Sequence, residues 1–161
     1  MRSFADLDIT LPVWVWNVMG RLQWYYNYYD RVKRGIEMVE QDYIMRIIKE
    51  MVRAIVKLLF GIDMESPTSE LLENKEEKAV IDMLLAMIDE GKLNEAENQL
   101  YELCSEDEEN ELKMALIFYS HMNEKSDKFL AEHDFSRDEI RMGLKAVASK
   151  HGLGEMLELF R

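Results

Sequence analysis

The chain is 161 residues long, 48% apolar, with only seven glycines and two prolines, and its formal net charge is -12. One domain of this size buries roughly 70% of its unfolded surface without staples, and scarce breakers leave long helices open. The charge repels phosphate backbones and argues against nucleic acid as a partner. The single Cys104 forms no internal disulfide, which fits a reduced, cytoplasmic setting.

Residues 1–37 differ from the rest. They carry five basic and four acidic residues, a net of +1, which leaves -13 for the remainder. All three tryptophans (Trp14, Trp16, Trp24) and half of the chain's aromatic residues lie here. The apolar run 9–20 is interrupted by Pro12 and closed by Arg21, well short of the ~20 residues a membrane-spanning helix needs. Asp6 and Asp8, with no small-residue cleavage site after the run, also fit a signal peptide poorly. No clean amphipathic period is read before Met38, so the aromatics offer only a weak case for membrane-surface association.

From Met38 the helical signal is strong. Ile44, Ile47, Ile48, Met51, Ile55, Leu58 and Leu59 repeat at i, i+3, i+4, i+7, and Met45, Val52, Val56 and Phe60 widen the stripe. Gly61 is the expected stop. On the opposite side lie Arg46, Lys49, Arg53 and Lys57, the candidate partner-binding residues. Their bland reading is a solvated face. Their functional reading is contact with an acidic protein or an anionic surface.

Ser66-Pro67 predicts the start of a second helix that runs to about Glu90, with Leu72, Ala79, Val80, Met83, Leu84, Met87 and Ile88 inward. A third spans about Asn94 to Cys104, burying Ala96, Leu100 and Leu103. Ser105 with Glu108 has capping-box spacing and opens a fourth through Met122, burying Leu112, Ala115, Leu116 and Tyr119. Ser126 starts a short helix to about His133. Ser136 with Glu139 is a second capping box, with Phe135 and Ile140 at staple spacing, so Ile140, Leu144, Val147 and His151 share the next face. Gly152 and Gly154 precede a last turn or two.

No catalytic, cofactor-binding or metal-binding motif emerges from this pass. His121, His133 and His151 are scattered, Cys104 has no base near it in sequence, and the acidic run 106–109 lacks the ligand alternation of a calcium loop. The expected class is an all-α, compact helical array of five to seven helices. The expected role is a protein-protein interaction or scaffolding module, with self-association included and no cofactor. The alternatives are an enzyme with dispersed active-site residues, or peripheral membrane association through the aromatic N-terminus.

Gly91, Leu93, Ala96, Leu100 and Leu103, with Val80, Met83 and Met87 before them, resemble the middle of a tetratricopeptide repeat. In that repeat a Gly ends the first helix and a small Ala on the second permits close approach. The resemblance covers about one repeat: Leu84 stands where a small residue is preferred, and no Gly follows near Lys125. Residues 38–161 also resemble a family of small uncharacterised bacterial proteins. That likeness rests on Asp42-Tyr-Ile-Met-Arg46, Leu58-Leu-Phe-Gly61 and Asp134-Phe-Ser-Arg-Asp-Glu-Ile140, and it carries no activity with it.

Two readings of residues 1–37 remain open. Arg34-Gly35 is encodable as a purine-rich ribosome-binding core a few nucleotides before the Met38 codon, so the native protein is expected either to begin at Met38 or to carry a true extension. In the second case the aromatics would pack on the helical domain, shield a groove or build a dimer contact.

Overall fold

The computed structural model of the protein describes residues 13–64, 66–103 and 108–160, with the backbone alone for residues 13–22, 24, 25 and 108. Among the described residues there are seven α-helices, one 3₁₀ turn and no strand. The chain divides into two units, Met1–Glu40 and Gln41–Arg161.

Helix α1 runs Val13–Phe60, so the helical pattern does not fade upstream of Met38 as the sequence suggests. It starts directly after Pro12, and Gly20 and Gly35 are the only strong helix-weakening residues within it. Two such residues among 48 are too few to break it. Within the first unit, residues 26–40 are exposed throughout, Tyr26, Tyr29, Ile36 and Val39 among them.

In the second unit the stretch of α1 from residue 41 places its stripe as the period predicts. Ile44, Ile47, Ile48, Met51, Val52, Ile55 and Val56 are buried. Each such side chain contributes roughly 1.5–3 kcal/mol on leaving water. Leu58 and Leu59 depart from the expectation: they are 61% and 44% exposed, because the stripe outlasts the elements that cover it.

Ser66-Pro67 does not begin a helix. A 3₁₀ turn occupies Ser69–Leu71, and α2 (Lys75–Asp89) starts only after Asn74, whose side chain accepts the Glu76 backbone N–H at 2.9 Å. That bond satisfies one of the donors a helix start leaves unpaired. The inward face of α2 is Ile81, Leu84 and Ile88, while Ala79 and Met83 are exposed and Val80 and Met87 half-buried. Leu72, Leu84 and Ile88 of the predicted face are thus buried, and the face is centred toward Ile81 rather than toward Ala79, Val80, Met83 and Met87. Both sets fit a 3.6-residue period, and the choice between them lies with the neighbouring helices.

Gly91 turns the chain at φ +84° into α3 (Leu93–Leu103). A Cβ there would lie 2.2 Å from Nε2 of His133, so the turn needs glycine for both its backbone and its space. Ala96 and Leu100 are buried as expected, Leu93 is buried too, and Leu103 is not.

Helix α4 (Glu108–Asn123) is the most enclosed element. Leu112, Met114 through Tyr119 and Met122 are all buried, so its apolar surface wraps most of the way round. It packs against α2, the 3₁₀ turn and α6. The cap expected at Ser105 lies outside the described residues, as does Cys104.

Ser126 caps α5 (Asp127–Glu132) through the Phe129 N–H at 3.1 Å. Ser136 caps α6 (Arg137–Lys150), accepting from the Glu139 N–H at 3.3 Å and donating its hydroxyl to Glu139 Oε2 at 2.7 Å. Phe135 and Ile140 are buried beside it, as a staple requires. His151 ends α6, and α7 (Gly154–Leu157) packs back on it. The second unit is thus the compact all-α array that the sequence predicts.

Candidate functional site

The four predicted partner-binding cations divide into two pairs. Arg53 Nε donates to Asp63 Oδ1 at 2.7 Å, and Lys57 Nζ lies 3.6 Å from Asp63 Oδ2. The Arg53 hydrogen bond, with lesser help from Lys57, holds the Asp63 carboxyl below its usual range. These two cations therefore cap the loop after α1. Arg46 and Lys49 are exposed, and among the described residues neither has an ion pair or hydrogen bond.

Arg46 also borders a cleft of about 180 Å³ shared with Tyr43, Ile47, Glu50 and Phe160. The lining is mainly hydrocarbon and ring. At the C-terminal end of α1, Leu58, Leu59 and, just past the helix, Ile62 are exposed apolar residues close in sequence to the Arg53, Lys57 and Asp63 cluster. The exposed parts of α1 are therefore an apolar end at Leu58 and Leu59 and, on the opposite side of the helix, the open cations Arg46 and Lys49.

Three polar clusters escaped the sequence reading. Arg137 is only 4% exposed, and its guanidinium donates to the carbonyls of Asn123 (2.8 Å) and Lys125 (2.7 Å), to Asn123 Oδ1 (3.0 Å) and to Asp127 Oδ1 (2.5 Å). The Asn123 amide in turn donates to the Met45 carbonyl at 3.0 Å. One cation thereby joins the end of α4, the start of α5 and α6, and, through Asn123, α1. Only Arg presents enough donors in a rigid fork for this.

Buried Tyr119 donates to Glu97 Oε1 at 2.7 Å, so the 2.9 Å contact with Tyr101 has the Tyr101 hydroxyl as donor. Burial, and then the bonds from Tyr101 and Glu97, push the Tyr119 phenol far above its ordinary value. A Cβ on residue 143 would stand 2.3 Å from the Tyr119 hydroxyl oxygen, so Gly143 is what admits this ring between α4 and α6. Glu111, also buried, receives Lys150 Nζ at 2.7 and 2.9 Å, with His151 Nε2 at 3.9 Å. Both clusters fasten helix to helix.

The three histidines are not gathered. His133 and His151 place Nδ1 against the carbonyls of Phe129 and Val147 four residues earlier. His121 Nε2 instead lies 2.7 Å from Asp89 Oδ1, and Lys125 Nζ pairs with the same oxygen. Lys125 first, and His121 next, lower the Asp89 carboxyl below its usual range. Among the described residues no group of three or more His, Cys, Asp and Glu is placed to hold a metal ion, and no helix is long and apolar enough to cross a membrane.

The Gly91 turn and the burial of Ala96 agree with the repeat-like spacing locally. The more specific signal is the motif set of the other resemblance. Asp42-Tyr-Ile-Met-Arg46 supplies buried Ile44 and the Met45 carbonyl that holds Asn123, and Asp134–Ile140 supplies Arg137, Phe135 and the Ser136 cap. In those two runs the residues that mark the likeness also tie the helices together.

Comparison with curated proteins and with solved structures returned no match. A family model does match, over residues 38–152, opening at Met38 and taking in both of those runs. On that span, most of its length, the chain belongs to the family of unknown function DUF6483.

Proposed function

We propose that residues 38–161 form a non-catalytic protein-binding module whose docking surface is the outward part of α1. The observation that carries this reading is the uncovered end of the α1 stripe. Leu58, Leu59 and Ile62 continue an apolar face whose earlier members are fully buried, and a face of that kind marks an interaction site when it stays exposed. Arg46 and Lys49 are open as well, but they lie on the opposite side of the helix, so the apolar end is the anchor and the cations are at most a second point of contact for a partner that wraps α1. The Leu58-Leu-Phe-Gly61 run supports this further, since packing alone gives no reason for two leucines there. A second copy of the chain is a weaker fit, because two bodies of net charge -12 repel.

The test is quantitative affinity purification of the full chain and of a Leu58→Ser/Leu59→Ser variant from the native cell. A partner recovered with the wild type should be depleted at least about tenfold with the variant, as loss of two apolar anchors predicts. It should be retained by a Met142→Ser control, which removes an exposed apolar residue on α6. Equal recovery by all three proteins would overturn the proposal.

A further inference from the structure

Helix α1 is exposed at every residue from Tyr26 to Glu40, although a helix in water draws most of its stability from a covered face. At the 3.6-residue period its apolar residues drift around the axis, which leaves no face legible before Met38. At a period of 3.5 they line up. Tyr29, Val32, Ile36 and Val39 follow one another at intervals of three and four, the a and d positions of a heptad, and all four are exposed. Val15, Val18, Leu22 and Tyr25 hold the same register upstream in the sequence. None of the seven charged residues between positions 13 and 40 falls at a or d. Four of them pair along their own helix instead, Arg34 with Asp30 at 2.7 Å and Lys33 with Glu37 at 3.7 Å. A seam of this kind is covered by a second helix of matching register.

We propose that α1 pairs with α1 of a second copy of the chain as an antiparallel two-stranded coiled coil, centred between Asp30 and Arg31. Side-chain size sets the orientation. In a parallel pair each residue meets itself, which crowds two rings into the Tyr25 and Tyr29 layers and leaves the valine layers thin. In the antiparallel pair Tyr29 meets Val32 of the second copy, Tyr25 meets Ile36, and Leu22 meets Val39, so a larger residue faces a smaller one in all six layers. With Tyr26 and Tyr28 flanking, these layers hide on the order of 800 Å² per copy, the share each partner gives a stable interface.

Gly35 fits the same pairing. Glycine weakens a helix interior, and among the described residues no group lies within 4 Å of where its Cβ would stand, so nothing in the chain itself calls for it. Beside the antiparallel seam it faces Tyr28 of the second copy, where a bare backbone leaves room for the ring. Charge agrees as well. Residues 13–40 hold four basic and three acidic residues, a net of +1, whereas the chain after Glu37 carries -13. Antiparallel pairing sets the two Glu40 residues ~30 Å apart along the coil, several times the ~8 Å over which salt screens charge. The repulsion that disfavours self-pairing at Leu58 and Leu59 therefore does not extend to this seam. The pairing takes residues 1–37 as a true extension, and it is independent of the docking surface, so either can fail alone.

The experiment is sedimentation equilibrium of the full chain, which should give twice the 19.1 kDa of one chain. Ile36→Lys puts a charge into the seam and should weaken dimerisation at least about tenfold. Gly35→Leu should weaken it too, although it improves the helix of a single chain. Arg34→Ala, away from the seam, should leave the mass unchanged. All three residues are exposed in one chain, so circular dichroism should show the helical domain intact in each variant. Orientation is read by oxidising a mixture of Leu22→Cys and Val39→Cys chains, each also carrying Cys104→Ser. Antiparallel pairing yields the mixed disulfide, and parallel pairing yields like-to-like disulfides alone. The mass of one chain, or of three or more, would overturn the proposal, as would wild-type dimerisation of Ile36→Lys or Gly35→Leu, or like-to-like disulfides alone.

Discussion

At the scale of the residue, the second unit depends on a few polar side chains whose importance is invisible in composition. Arg137 is the clearest case: its donors hold the Asn123 carbonyl at the C-terminal end of α4 and the Lys125 carbonyl in the turn after it, and a positive charge there is favoured by the helix dipole. Arg137→Met keeps much of the bulk and removes every donor. The expected cost is about 3 kcal/mol, the size seen when one member of a buried charged network is deleted. Arg141→Ala, which breaks only the partly exposed 2.6 Å pair with Asp138, should cost about 0.5 kcal/mol or less. Urea unfolding of the two variants measures both, and equal midpoints would show that Arg137 is not the hub its geometry describes.

Among the elements, boundaries follow side-chain chemistry more closely than apolar pattern. Ser126 and Ser136 start helices where the sequence places them because each serine is followed at the right interval by a free backbone N–H. The start of α2 was misplaced because Ser66-Pro67 has the composition of a cap, while Asn74 makes the bond. Asn74→Ala should therefore cost about 1 kcal/mol, and Ser66→Ala almost nothing. Thermal or urea unfolding distinguishes them, and the reverse order would return the helix start to Ser66. The offset of the α2 face has a related cause. Leu84 and Ile88 were expected inward and are; whether the flank beside them is Ile81 or Val80, Met83 and Met87 is not decided by the helical period, and only packing on α3 and α4 selects Ile81.

For the molecule as a whole, the buried core among the described residues begins at Ile44, and the family match begins at Met38. Both favour the expectation that residues 38–161 fold as a unit. The 38–161 fragment is expected to unfold cooperatively at the urea midpoint of the full chain, within about 0.5 kcal/mol, the scatter usual for changes outside a core. A disordered fragment would refute this expectation.

What the sequence determined by itself was whatever local chemistry encodes: the all-α class, the α1 stripe from Ile44 to Val56, the Gly91 stop, and the serine caps of α5 and α6. Period, φ preference and cap bonding act over a few residues, so they are written in consecutive positions. Tertiary structure decided what depends on residues far apart. It buried α4 on nearly every side, left Leu58 and Leu59 uncovered, paired Arg53 and Lys57 with Asp63 while leaving Arg46 and Lys49 open, and brought Ser120 and His121 of α4 to the same hollow as Ser66, Thr68 and Ser69. Burial and pairing are properties of what lies opposite a side chain, and a one-dimensional pattern does not contain the opposite partner.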